Sequence, residues 1–185
     1  IKVAAPGTFV TTRQAYLHAG GAQDSEQIWF GATQNGFDHH ELFMCFAPKP
    51  LMLLGVDSDF FPIEGAEEVI KVSQCFWNMY GKEDKLLMVT DTSLHKYTDM
   101  LACSAGEFFA LELNGEKRTA DAASLKSIPA EKLWCTKDGQ VKLEFPDCKF
   151  VYDENLERYK AAPKPEKSLK EFLIEKITIQ IYKYL

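Results

Sequence analysis

An acid and a histidine stand one strand–helix–strand unit apart in this chain. The acid lies in Gly55-Val56-Asp57-Ser58-Asp59-Phe60-Phe61-Pro62, directly after the apolar run Pro50-Leu51-Met52-Leu53-Leu54. The histidine lies in Ser93-Leu94-His95-Lys96-Tyr97, directly after Lys85-Leu86-Leu87-Met88-Val89-Thr90. A carboxylate bonded to one imidazole nitrogen fixes the tautomer and stabilises the charged ring. The other nitrogen is then free to take a proton from a nucleophile. Asp59, Asp57 and, on the histidine's own loop, Asp91 are the candidate acids; His95 is the candidate base. The order acid then histidine is that of the last two members of a nucleophile–acid–histidine triad.

The elements around these residues have to bring them together. Leu51 to Val56 is a continuous apolar run, as expected of a strand buried on both faces of a parallel sheet. Leu86 to Val89 is a second such strand. Glu64 to Tyr80 reads as the helix between them: acidic at its start, stopped by Gly81, and with Val69, Val72, Cys75, Phe76 and Met79 at helical spacing as its expected buried face. Parallel strands joined by a helix end at the same sheet edge, where open α/β sheets place their chemistry.

Upstream, residues 2–10 read as a third strand, broken by Pro6-Gly7. Thr11 to Ala19 and Gln23 to Phe30 read as short helical pieces, and Asp38 as the cap of a helix from His39 to Phe46. Downstream, Tyr97 to Leu113 reads as a helix ended by Asn114-Gly115. Asp138-Gly139, between Leu133-Trp134-Cys135 and Val141 to Phe145, predicts a hairpin, and Lys149 to Tyr152 a further strand. Residues 161–167 form a Pro/Lys linker, and Ser168 to Ile181 reads as a terminal helix. The expected fold class is α/β: a parallel sheet of about three strands (2–10, 51–56, 86–90) with flanking helices in 1–115, then a hairpin-bearing tail in 116–185.

Composition narrows the function classes. The net charge of −6 argues against nucleic acid or an anionic membrane as partner. No apolar run reaches the roughly 18 residues of a membrane span. The five cysteines, at 45, 75, 103, 135 and 148, are odd in number and form no C-x-x-C pair. Cys45, Cys75 and Cys103 sit in apolar surroundings that suggest buried thiols, and unpaired cysteines favour a cytoplasmic setting. His39-His40 beside Asp38 and Glu41 reads as a surface turn rather than a metal site, because adjacent helical residues point apart. No metal or cofactor is expected. The chain opens on Ile1-Lys2-Val3 rather than methionine, which fits a processed product, a domain or a partial reading frame.

Several segments together resemble the second half of bacterial α/β-hydrolase esterases of the acetyl xylan esterase family. They are Ala47-Pro48-Lys49-Pro50-Leu51-Met52-Leu53-Leu54, Asp59-Phe60-Phe61-Pro62-Ile63-Glu64-Gly65, Tyr80-Gly81 and His95-Lys96-Tyr97-Thr98. Ile1-Lys2-Val3-Ala4-Ala5-Pro6 resembles the strand after that family's nucleophile helix. Residues 20–27 and Gly36-Phe37-Asp38 are similar to its pre-acid segment. The resemblance covers residues 1–115, with a weaker match over 134–150. It implies a partial α/β-hydrolase fold, a carboxylic-ester hydrolase acting on acylated carbohydrate, Asp59 as triad acid and His95 as triad base.

The family's G-x-S-x-G nucleophile elbow does not occur in these residues. Ala102-Cys103-Ser104-Ala105-Gly106 mimics its spacing, but it follows the histidine and falls inside a predicted helix. Ser104, Cys103 and Cys75 are therefore expected to be structural. Two expectations follow. The first is an esterase portion working with a complementary N-terminal half. The second is a non-catalytic module that self-associates through the strand at residues 2–10.

Overall fold

The computed structural model of the chain describes residues 1–20, 30–32, 35–164 and 166–175. They fall into two units, Ile1–Cys148 and Lys149–Leu185. The helical piece expected over 23–30 and the end of the expected terminal helix lie largely outside the described residues.

In the first unit, β1 (Leu51–Ser58) and β2 (Leu86–Leu94) pair in parallel, starting from Leu51 opposite Leu86. Helix α1 (Arg13–His18) and helix α2 (His39–Phe46) precede them. Helix α3 (Ile63–Met79) joins the strands, and α4 (Asp99–Asn114) follows β2. Leu51 and Leu53 pack on one face with Phe43 of α2 and with Ala66, Val69 and Trp77 of α3. Met52, Leu54 and Val56 pack on the other with Leu101, Ala105 and Phe108 of α4. Successive strand side chains leave by opposite faces, and here helices cover both. That is why β1 shows no polar alternation. The fold is α/β, three layers deep at β1.

The sheet is smaller than expected. Residues 2–10 do not form a strand; only Ala4 and Gly7 bridge to β1, opposite Leu51 and Leu54. Pro6 has no N–H to donate. Thr8 turns to φ 58°, where a β-branched residue cannot continue an extended ladder. Ala4 N–H donates to Pro50 O and Thr8 N–H to Leu54 O, while Ala4 O and Pro6 O accept from Met52 and Leu54. Ala4, Pro6 and Thr8 thus face β1. By alternation, Val3, Ala5 and Gly7 turn their backbone groups to the open side.

The buried stripe of α3 is Gly65, Ala66, Val69, Ser73 and Trp77. Of the expected face, Val69 is fully buried and Phe76 partly so, whereas Val72, Cys75 and Met79 are exposed. The stripe follows the small residues because α1 lies close against α3. A Cβ on Gly65 would stand 2.1 Å from Thr11 Oγ1 and 2.8 Å from both Ala15 Cβ and Thr12 N. Trp77 fills the centre and donates Nε1–H to Lys49 O at 3.0 Å. Cys45 is also exposed and Cys103 half-buried, so none of these three thiols is a core group.

One carboxylate organises the entry to the sheet. Asp38 accepts from His39 N–H at 2.7 Å and from Arg13 N–H at 2.9 Å, serving the first turns of α2 and α1 together. Glu41 accepts from Asp38 N–H at 2.8 Å and completes a capping box. His39 is buried rather than on a surface turn, with Nδ1 2.6 Å from Thr11 O.

After α4, Gly115 adopts φ 70° and ends the helix. No hairpin follows. Gly139 does turn, at φ 69°, but Val141–Glu144 forms a single helical turn, α5, and residues 133–135 are not extended strand. In the second unit the strand expected at 149–152 is instead the start of helix α6 (Val151–Ala161), whose first turn holds Phe150 N–H on Asp153 at 3.0 Å. Residues 169–175 are helical.

Candidate acid–base site

β1 and β2 run side by side to their C-terminal ends, and the last register pair is Ser58 opposite Leu94. Asp59 and His95 are each the next residue. Their side chains meet: His95 Nδ1 lies 2.9 Å from Asp59 Oδ1 and 3.1 Å from Oδ2. A carboxylate can only accept, so Nδ1 carries the proton and Nε2 presents its lone pair. Nε2 makes no hydrogen bond among the described residues. The Asp59 side chain is 2% exposed and that of His95 43% exposed, so the acid is covered and the ring faces outward.

The loop after β1 is built to hold this pair. Asp59 Oδ1 also accepts from Phe61 N–H at 3.1 Å, a local turn that Asp favours. Phe60 packs on the imidazole with ring centroids 4.3 Å apart. Phe61 lies 4.7 Å from Phe60 and stacks on buried Tyr16 of α1 at 4.8 Å. A file of aromatic rings therefore runs from the core to His95. Pro62 O accepts from Thr11 Oγ1–H at 2.8 Å, tying the loop to the segment before α1.

The other two candidate acids do not touch His95. Asp57 Oδ1 accepts from Ser93 N–H at 3.2 Å and from Ser58 Oγ–H at 3.1 Å. The Thr92 hydroxyl, followed by the Ser58 hydroxyl and the Ser93 amide, holds the Asp57 carboxyl below its usual range against partial desolvation. Asp91 accepts from Thr92 N–H at 2.8 Å and from Thr98 Oγ1–H at 2.6 Å, where Thr98 caps α4. Ser104 lies within α4 with Oγ 3.5 Å from Met100 Sδ, away from any strand-to-helix turn. Cys75 and Cys103 are likewise within helices.

Sequence reasoning missed the aromatic packing on His95 and the irregular register beside it. The first had a signal, two adjacent phenylalanines after an acid at a strand end. The second had none, because a bulge has no residue signature in Thr92-Ser93. Among the described residues no group of His, Cys, Asp and Glu could hold a metal ion, and no helix is long and apolar enough to cross a membrane.

No protein-family model matches the chain, and no curated protein matches it. Solved structures do. A carbohydrate esterase family 15 glucuronoyl esterase from Caldicellulosiruptor kristjansonii is 18% identical at a TM-score of 0.49, over 70% of this chain. A methylesterase is 16% identical at 0.47 over 69%, and the glucuronoyl esterase catalytic domain from Hypocrea jecorina is 18% identical at 0.48 over 74%. The matches cover 41%, 30% and 44% of those three chains, so this chain spans less than half of each.

Proposed function

We propose that residues 1–115 carry the acid–base part of a serine ester hydrolase of α/β-hydrolase type, with Asp59 as acid and His95 as base. The observation that carries this reading is the covered Asp59 carboxylate on His95 Nδ1, with Nε2 turned outward at the C-terminal edge of a parallel sheet. Nε2 would take the proton of a serine hydroxyl as its oxygen attacks the acyl carbonyl. It would then return that proton to the leaving alcohol, giving an acyl-serine that water cleaves by the same two transfers. Asp59 stabilises the imidazolium formed in between. The serine and the oxyanion donors come from a complementary N-terminal half. The sequence resemblance supports an acylated carbohydrate as substrate, in the manner of acetyl xylan esterases.

The test extends the reading frame upstream of Ile1 and assays its product on 4-nitrophenyl acetate and acetylated xylan. An upstream G-x-S-x-G and a fall of about 10³-fold or more in kcat for His95→Ala are expected. A product that hydrolyses these esters equally well with His95→Ala would sink the assignment.

A second reading, an interaction module without catalysis, rests on the open side of residues 3–7. Val3, Ala5 and Gly7 all keep backbone groups with no backbone partner among the described residues. A native start near Ile1 together with a dimer in solution would favour it.

A further inference from the structure

The register of the two strands changes immediately before the acid–base pair. Val56 stands opposite Asp91, yet Ser58 stands opposite Leu94. β1 advances two residues while β2 advances three, so β2 carries one extra residue at Thr92-Ser93. Had the first register continued, Ser58 would face Ser93, and Asp59 would face Leu94. His95 would lie one step beyond, and with the two-residue alternation of a strand its side chain would leave by the wrong face. Bulges of this kind re-aim side chains, and they are rare in parallel pairs.

The bulge is held by the two acids that do not touch the histidine. Asp57, in β1 between the two register pairs, takes the Ser93 amide at 3.2 Å. Asp91 takes the Thr92 amide at 2.8 Å and ties the far side of the loop to Thr98 at 2.6 Å. Both amides of the two bulge residues thus end on carboxylates. Neither Asp57 nor Asp91 has an ion-pair partner among the described residues, and Asp57 is exposed.

We infer that Asp57 is a positioning residue: its carboxylate secures the bulge at Thr92-Ser93 that sets His95 opposite Asp59. The role rests on the acid–base reading of the pair, and it separates the three neighbouring acids by task. Asp59 serves the imidazole; Asp57 and Asp91 serve the backbone that delivers it. A backbone acceptor needs only an oxygen, whereas a triad acid needs the charge. Asparagine should therefore replace Asp57 and fail to replace Asp59.

The experiment is long-range ¹H–¹⁵N NMR of the His95 ring in the 185-residue chain at a pH where the ring is neutral, with hydrogen exchange at the Ser93 amide. The wild type should show the proton on Nδ1. Asp57→Ala should raise the Nε2–H population and the Ser93 exchange rate by roughly two- to twelvefold, the equivalent of one hydrogen bond lost. Asp57→Asn should stay near wild type on both, and Asp59→Asn should lose the Nδ1–H form while leaving Ser93 protected. Unchanged values in Asp57→Ala, with Asp59→Asn still moving the ring, would overturn the positioning role alone. Asp57→Asn as damaging as Asp57→Ala would overturn it too, in favour of a role for the charge. A wild-type ring protonated on Nε2 and indifferent to Asp59→Asn would remove the acid–base reading itself.

Discussion

Two glycines in two helices should respond to alanine with opposite signs. Gly65 lies near the start of α3, and Gly106 lies within α4. Neither has a positive φ, so both backbones accept a side chain. An alanine in place of glycine inside a helix gains about 0.5–1 kcal/mol from reduced chain entropy. At Gly106 a new Cβ meets nothing within 4 Å, so that gain should stand. At Gly65 the new Cβ meets Thr11 Oγ1 at 2.1 Å and Thr12 N at 2.8 Å. Thr11 can swing away only by releasing Pro62 O, which costs about 0.5–1.5 kcal/mol. The Thr12 nitrogen is backbone and cannot swing at all, which adds an overpacking cost of about 1–3 kcal/mol. The net effect of Gly65→Ala is a loss of about 0.5–4 kcal/mol, against a gain of up to about 1 for Gly106→Ala. In urea titrations followed by far-ultraviolet circular dichroism, this moves the Gly65→Ala midpoint down by roughly 0.25–2 M, and that of Gly106→Ala slightly up. Gly65→Ala at or above the wild-type midpoint would show that α1 is not seated on α3 at this point. The tie between Thr11 and the Asp59 loop would then fall with it.

Three further outcomes are expected. Lys85 is hydrogen-bonded to Glu112 at 2.9 Å, and that bond, reinforced by Asp84, raises its pKa above the ordinary lysine value against partial desolvation. A raised folded value means the contribution is fully present below the unfolded lysine pKa and is lost as pH rises through the folded one. Glu112→Gln should therefore lower Tm by a few degrees at pH 7, for about 1 kcal/mol at this partly buried site, and the gap should close in strongly alkaline buffer; a gap independent of pH would count against the pair. The 185-residue chain alone should hydrolyse 4-nitrophenyl acetate no faster than its His95→Ala variant, whereas robust turnover abolished by Ser104→Ala would make Ser104 the nucleophile after all. Ala5→Pro removes one outward N–H, and sedimentation should show weaker association with itself or with a complementary half; undiminished association would move the interface elsewhere.

What could be read in the residues, and what could not, divides along physical lines. β1 was legible because burial on two faces leaves an unbroken apolar run, and the Asp38 and Gly115 boundaries were legible because a cap requires particular side chains or a left-handed φ. The meeting of Asp59 with His95 followed from topology, since parallel strands joined by one helix must end together. The phase of α3 was not legible. Counting large apolar residues favoured Val72 and Met79, but close approach of α1 selects Gly65, Ala66 and Ser73, whose value is their small size. The Asp138-Gly139 hairpin failed although its turn is present, since a hairpin needs two strands with a face to bury and Val141 to Glu144 closes a helical turn instead. Residues 2–10 fell short of a strand through Pro6 and Thr8, of which only the proline announces itself.

The shared Asp38 carboxylate has a consequence for how the protein opens. Caps ordinarily belong to one helix, so helices fray independently. Here the first amide of α1 and the first amide of α2 end on the same carboxylate, Arg13 N–H on both oxygens and His39 N–H on Oδ1. Displacing the Asp38 carboxylate would release both helix ends at once. α1 and α2 are therefore expected to open together although twenty residues, 19–38, separate them in the chain. The amides of Arg13 and His39 would exchange with solvent at a common rate, and α1, only six residues long, would inherit a lifetime no isolated helix of that length could hold.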